Sequence, residues 1–299
     1  MKRFSVVLFW GVLLALARQG MELAQYRVSC DGVEIPFTFN RNEIEMRWKI
    51  NGSPEYDFWF DTGADRTTID LGFARELGLK LGAKHDVNQR GAGFAYVIHL
   101  PLLQANGFEI RNVDADAMDL KSLSFTGVNG VVGRKGIMDH RPVQIDYPKH
   151  VVRFCSKFPS DRNENLRGAA NAVTMPLGAD LITKSVFVNG VQIKASFDTG
   201  FDGGFYATAR LASKLGLQSI RSGAITLSGA TGVNGITRTV TKSIGEVTVG
   251  TIHVSNPPVT YPISDSGNPE WDIHIGNGFL KDYVVTFDFE HKVVVLSRP

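Results

Sequence analysis

The chain has 299 residues, enough for two domains of ordinary size, each with its own core. With 43% hydrophobic and 21% charged residues it has the balance of a folded globular protein, and 31 Gly beside 19 Phe suit a turn-rich β protein better than a helical one. The formal net charge of +2 comes from scattered charges of both signs, so no basic run suggests nucleic acid and no acidic tail suggests a solvating arm.

The N-terminus reads as a targeting segment. Lys2 and Arg3 precede the uncharged apolar residues 4–17, and Ala15-Leu16-Ala17 supplies the small residues that a signal peptidase needs. The apolar run is shorter than the roughly 20 residues of a full membrane span. Export, secreted or periplasmic, with removal of residues 1–24 at most is the expectation, and an uncleaved membrane anchor is the alternative. No later stretch is long and apolar enough to span a membrane, so no membrane contact is expected after removal. The two cysteines are Cys30 and Cys155, near the two ends of the first half. They form either one disulfide or two buried thiols, and their spacing carries no metal signature.

Residues 30–48 look strand-rich. An Asn51-Gly52 turn follows, suited to a tight hairpin, and then the β-type run that ends Phe58-Trp59-Phe60-Asp61-Thr62-Gly63-Ala64-Asp65. Phe73-Ala74-Arg75-Glu76-Leu77-Gly78-Leu79 has good helix formers ending at a glycine. Gly91-Ala92-Gly93 precedes β-like alternation, Gly130-Val131-Val132-Gly133 is an apolar run into glycine, and residues 143–147 and 151–154 form a closing strand pair.

The same series then returns. Residues 173–188 correspond to 30–48, and Asn189-Gly190 leads to Ala195-Ser196-Phe197-Asp198-Thr199-Gly200-Phe201-Asp202. Leu211-Ala212-Ser213-Lys214-Leu215-Gly216-Leu217 is the helix, Gly229-Ala230-Thr231-Gly232 the glycine loop, Ile273-His274-Ile275-Gly276 the apolar-glycine run, and 284–289 with 293–296 the closing pair. An internal repeat of this kind fixes the domain plan. A first lobe over 25–158 and a second over 173–299 are expected, joined by the polar linker 159–172.

One Asp-Thr-Gly arises by chance in about one chain in twenty of this length. Two, each behind an apolar strand and each followed by the same elements, are a far stronger signal. On these motifs the chain resembles the aspartic protease superfamily of retroviral and pepsin-like enzymes, and among them the bacterial retropepsin-like proteases that carry two copies in one chain. The likeness spans roughly residues 46–296. It implies a mostly β fold with short helices: two similar closed-β lobes related by a pseudo-twofold, with the substrate cleft between them under one or two hairpin flaps.

The resemblance also implies the chemistry. Asp61 and Asp198 would be the catalytic pair, sharing one proton because two adjacent carboxylates cannot both ionise easily. One activates water and the other protonates the peptide carbonyl oxygen. Gly63 and Gly200 admit close backbone approach, and Thr62 and Thr199 bond across the lobe interface. Ala64 matches the retroviral form of the motif. Phe201 departs from the usual small residue, and neither copy has the hydroxyl that pepsin-like lobes often carry there. Phe201 is expected either to crowd the dyad or to project into the cleft.

Gly91, Ala92 and Gly93 are flap candidates, with Gly229 and Ala230 as the second set. Asp65 and Asp202 read as solvated or helix-capping residues, with substrate binding as the alternative. His274 alternates with Ile273 and Ile275 and reads as structural. No zinc, nucleophile-elbow or phosphate-loop motif occurs, and no cofactor is implied. A peptide or protein substrate and a monomeric active unit are expected. An aspartic endopeptidase is the leading reading, and a non-catalytic peptide-binding or structural protein of the same fold is the other.

Overall fold

The computed structural model describes residues 30–87, 93–121, 127–155, 172–217, 226–232, 235–263 and 269–299. The expected signal segment and most of the expected linker lie outside them. The first half carries β1 (Glu34–Asn40), β2 (Glu43–Ile50), β3 (Tyr56–Phe60), β4 (Thr68–Asp70), α1 (Leu71–Glu76), β5 (Lys84–Val87), β6 (Gly93–Ala105), β7 (Phe108–Met118), β8 (Gly130–Val132), β9 (Val143–Asp146) and β10 (Val151–Phe154). The second carries β11 (Ala172–Pro176), β12 (Ile182–Val188), β13 (Val191–Phe197), β14 (Phe205–Ala207), α2 (Ala209–Lys214), β15 (Thr226–Gly232), β16 (Gly235–Ser243), β17 (Glu246–Val249), β18 (Ile252–Ser255), β19 (Pro258–Pro262), β20 (Ile273–Ile275), α3 (Asn277–Leu280), β21 (Val284–Asp288) and β22 (Val293–Ser297). The protein is mostly β, in two barrel-like lobes, as the repeat implied.

Period-two burial builds the lobes. In β2, Ile44, Met46, Trp48 and Ile50 point inward while their neighbours are exposed or half-buried. Both Asn-Gly turns form with positive φ, 52° and 78° at Asn51 and Gly52, and 49° and 77° at Asn189 and Gly190. Helices α1 and α2 each end at a glycine in the left-handed region, Gly78 and Gly216. The helices begin earlier than the apolar pattern suggested, because Asp70 accepts the Phe73 amide and Thr208 accepts the Leu211 amide as N-caps.

The repeat is topological as well as sequential. In the first lobe β8 lies parallel to β3 and antiparallel to β4, and in the second β20 lies parallel to β13 and antiparallel to β14. Packing at the matched pair exchanges large for small. Phe58 faces Gly130 in one lobe, and Ala195 faces Ile273 in the other. A Cβ on Gly130 would lie 2.4 Å from the Phe58 ring, so that glycine is needed where the aromatic is present.

The two closing hairpins do not stay in separate lobes. β21 pairs antiparallel with β9, from Val284 opposite Asp146 to Phe287 opposite Val143. The result is a continuous order β11-β22-β21-β9-β10-β1 that ties the lobes by main-chain hydrogen bonds. Cys30 and Cys155 form a disulfide between the residue run before β1 and the end of β10.

Candidate active site

β3 and β13 each end in a buried phenylalanine, Phe60 and Phe197, and each delivers an Asp-Thr-Gly to the lobe interface. The two threonines are buried and bond reciprocally. The Thr62 amide donates to the Thr199 hydroxyl oxygen at 2.9 Å, and the Thr199 amide to the Thr62 hydroxyl oxygen at 3.1 Å. Each hydroxyl then donates onward to the other lobe, Thr199 to the Phe60 carbonyl at 2.8 Å and Thr62 to the Phe197 carbonyl at 3.3 Å. Both amides and both hydroxyls of the pair are therefore used, which fixes the two loops in register.

Beyond the threonines the carboxylates meet. The Asp61 and Asp198 side chains interact directly, each shifting the proton affinity of the other. A Cβ on Gly63 would lie 2.4 Å from an Asp198 carboxylate oxygen, and one on Gly200 would lie 2.4 Å from the Asp61 carboxyl carbon. Only glycine lets each loop pass so close to the opposite carboxylate. Burial raises both acids above the ordinary aspartate value, and the Asp198 charge raises Asp61 further. The pair titrates as a unit.

The backbone treats the two unequally. Asp61 accepts the Gly63 amide at 2.7 Å and the Ala64 amide at 3.1 Å. Asp198 accepts the Gly200 amide at 2.9 Å, while the Phe201 amide turns instead to the Asp198 carbonyl at 3.3 Å. The Phe201 ring does not stand between the carboxylates. It packs over Gly203 and Gly276, where added Cβ atoms would lie 2.3 and 2.4 Å from ring carbons, and meets Tyr206 edge-on with centroids 5.6 Å apart. The extra glycine of the second copy makes room for that ring.

Several residues have roles that their spacing did not reveal. Asn277, fully buried, donates to the Thr199 carbonyl at 2.6 Å and the Asn42 carbonyl at 2.7 Å, and accepts from Tyr147 at 2.5 Å. Arg134 bridges Asp65 of its own lobe and Asp180 of the other, at 3.3 and 3.2 Å. Asp65 also pairs with Lys135. Neither Asp65 nor Asp202 caps a helix, since Asp70 and Thr208 hold those positions. His274 alternates with two buried isoleucines as expected, yet its side chain faces the dyad, with Nε2 3.8 Å from Asp198 Oδ2. A cavity of about 530 Å³ opens beside the dyad, lined by Thr62, Gly63, Ser196, Trp271 and His274 with Arg134 at its edge.

Gly93 and the second glycine segment belong to paired strands. β5 and β6 pair from Lys84 opposite Tyr96 to Val87 opposite Gly93. Gly91 and Ala92 lie outside the described residues. In β15 and β16, Gly229 is opposite Arg238 and Ala230 opposite Thr237. Phe94, 40% exposed, stands beside Tyr96 and under the Lys84 ammonium.

A family model described as aspartyl protease matches residues 46–137 and again residues 185–278, well over half of the chain. Each match contains one of the two Asp-Thr-Gly loops. No curated protein matches the chain.

Proposed function

The chain belongs to the aspartyl protease family, and on that premise we propose that it is an endopeptidase whose two lobes together make one active site from Asp61 and Asp198. The observation that carries this reading is the close approach of the two buried carboxylates, each against the glycine of the opposite loop and next to a cavity lined by Thr62, Gly63 and His274, with Phe201 packed away from them. A buried pair with raised proton affinity holds one proton between two oxygens over the working pH range. The ionised member takes a proton from water as that water attacks the peptide carbonyl. The protonated member donates to the carbonyl oxygen, and the proton later passes to the leaving amine.

The supporting residues hold this geometry. Thr62 and Thr199 keep the loops aligned, Gly63 and Gly200 permit contact, and the amides of Gly63, Ala64 and Gly200 favour the ionised form. Both triplets are in one molecule, so no second copy is needed to complete the dyad. The hairpins β5-β6 and β15-β16 are the elements suited to cover an extended peptide. The Cys30–Cys155 disulfide favours an oxidising compartment and supports export. The test is cleavage of a peptide library across pH by the purified chain and by Asp61→Asn. Activity in the first and none in the second is expected, and inactivity of the first at every pH would favour a non-catalytic binding role.

A further inference from the structure

The two lobes place different chemistry at one equivalent strand position. In the first, Val131 of β8 lies between Trp59 and Thr68 in register. In the second, His274 of β20 lies between Ser196 and Tyr206. An apolar side chain at this position in the first lobe is thus replaced by an imidazole in the second, beside the carboxylate that receives the fewer backbone amides.

Three contacts orient the ring. Nδ1 is hydrogen-bonded to the Ser196 hydroxyl at 2.5 Å. Its face lies against Trp271, with ring centroids 3.5 Å apart and planes 38° apart. Nε2 points to Asp198 Oδ2 at 3.8 Å, and the His274 and Asp198 side chains are 20% and 18% exposed. Because Ser196 can donate to Nδ1, the ring proton can sit on Nε2, and an oxygen of the carboxylate favours that tautomer over a lone pair facing it.

We propose that His274 is a positioning residue for the dyad: with Nδ1 held by Ser196, it turns a neutral Nε2–H toward Asp198 and stabilises that carboxylate in its ionised form. It supplies a donor dipole on the side of Asp198 where the Phe201 amide supplies none. The separation is longer than a hydrogen bond, but a dipole at that range still acts strongly where water is scarce. Burial pushes the imidazole down to about 3, which favours the neutral ring.

Other groups near the ring also act on Asp198. Arg134 favours ionised Asp198 but is engaged by Asp65 and Asp180, and Lys135 is engaged by Asp65. Asp61 favours ionised Asp198 through its side-chain interaction, whereas negative charge on Glu270 and Asp139, which line the cavity, acts in the opposite sense. Tyr206, on the adjacent strand, is kept neutral by burial.

The inference rests on the Asp61–Asp198 dyad, so its test does not depend on turnover alone. Carbon-13 carboxyl shifts of the two aspartates would be followed against pH, together with nitrogen-15 shifts of His274 and the acidic limb of kcat/KM. His274→Val, which copies Val131, should raise the lower titration step of the dyad by about one pH unit, the size expected for losing one donor to a charged group. His274→Gln, which keeps an N–H, should restore more than half of that shift, and Ser196→Ala should reproduce part of it with the histidine in place. Unchanged carboxylate titration in a folded His274→Val, or a wild-type His274 with its proton on Nδ1, would overturn the inference. An inactive wild-type chain whose carboxylates still shift in His274→Val would refute the protease reading and leave this one standing.

Discussion

Tyr147 of the first lobe donates its hydroxyl to the side-chain oxygen of Asn277 in the second, and both residues are buried. The Asn277 amide nitrogen continues the link to Thr199, next to Asp198, and to Asn42 in the first lobe. One side chain thus ties the dyad loop to two points across the interface.

Asn277→Leu leaves the Tyr147 hydroxyl and two carbonyl oxygens without that partner. Unpaired buried groups cost about 1–3 kcal/mol each, and partial relaxation makes a loss of about 2–4 kcal/mol the expected outcome. Tyr147→Phe, which removes one bond, should lose less. Urea unfolding measures both, and a neutral Asn277→Leu would contradict the structural role.

Glu43 gives a pH dependence of stability. Burial, then the charges of Asp202 and Glu45, raise it from 4.5 to about 7. The folded chain therefore holds a proton that the unfolded chain releases between those values, so stability is greatest below about 4.5 and falls as pH rises through 7. Glu43→Gln should raise Tm by a few degrees at pH 8 and change it little at pH 4. A benefit at pH 4 that vanishes at pH 8 would reverse the sign and refute the account.

The disulfide closes a loop between residues 125 apart. Chain entropy gives such a crosslink a ceiling of about 5 kcal/mol. Reduction, or Cys30→Ser with Cys155→Ser, should lower the urea midpoint clearly, and an unchanged midpoint would show the bond to be thermodynamically silent.

Phe201 and Gly203 form a test of the second loop. A Cβ at Gly203 meets only the Phe201 ring, at 2.3 Å. Gly203→Ala should reduce activity by pressing that ring on its loop, Phe201→Ala should keep substantial activity, and the double variant should recover much of what Gly203→Ala loses. Failure of the double variant to recover would mean that the clash is not with the ring.

The sequence made the covalent order of the site legible, because both Asp-Thr-Gly loops, both Asn-Gly turns and both helix-ending glycines are local signals. What it concealed are relations across the chain. Asn277 gives no local sign that it bonds to residues 78, 130 and 235 positions away. The pairing of β21 with β9 cannot be read from two hairpins that each look complete. His274 was legible as facing away from the core, but alternation alone does not say whether that side is solvent or the dyad.

The central claim is that the two carboxylates act as one unit. Coupled groups do not contribute additively, and acid–base assistance alone is commonly worth about a hundredfold to ten-thousandfold. The most direct measurement is kcat/KM for Asp61→Asn, Asp198→Asn and the double variant, with folding checked for each. The account predicts losses of at least about a hundredfold, nearly equal in all three. Near-normal cleavage by Asp198→Asn beside an inactive Asp61→Asn would contradict it.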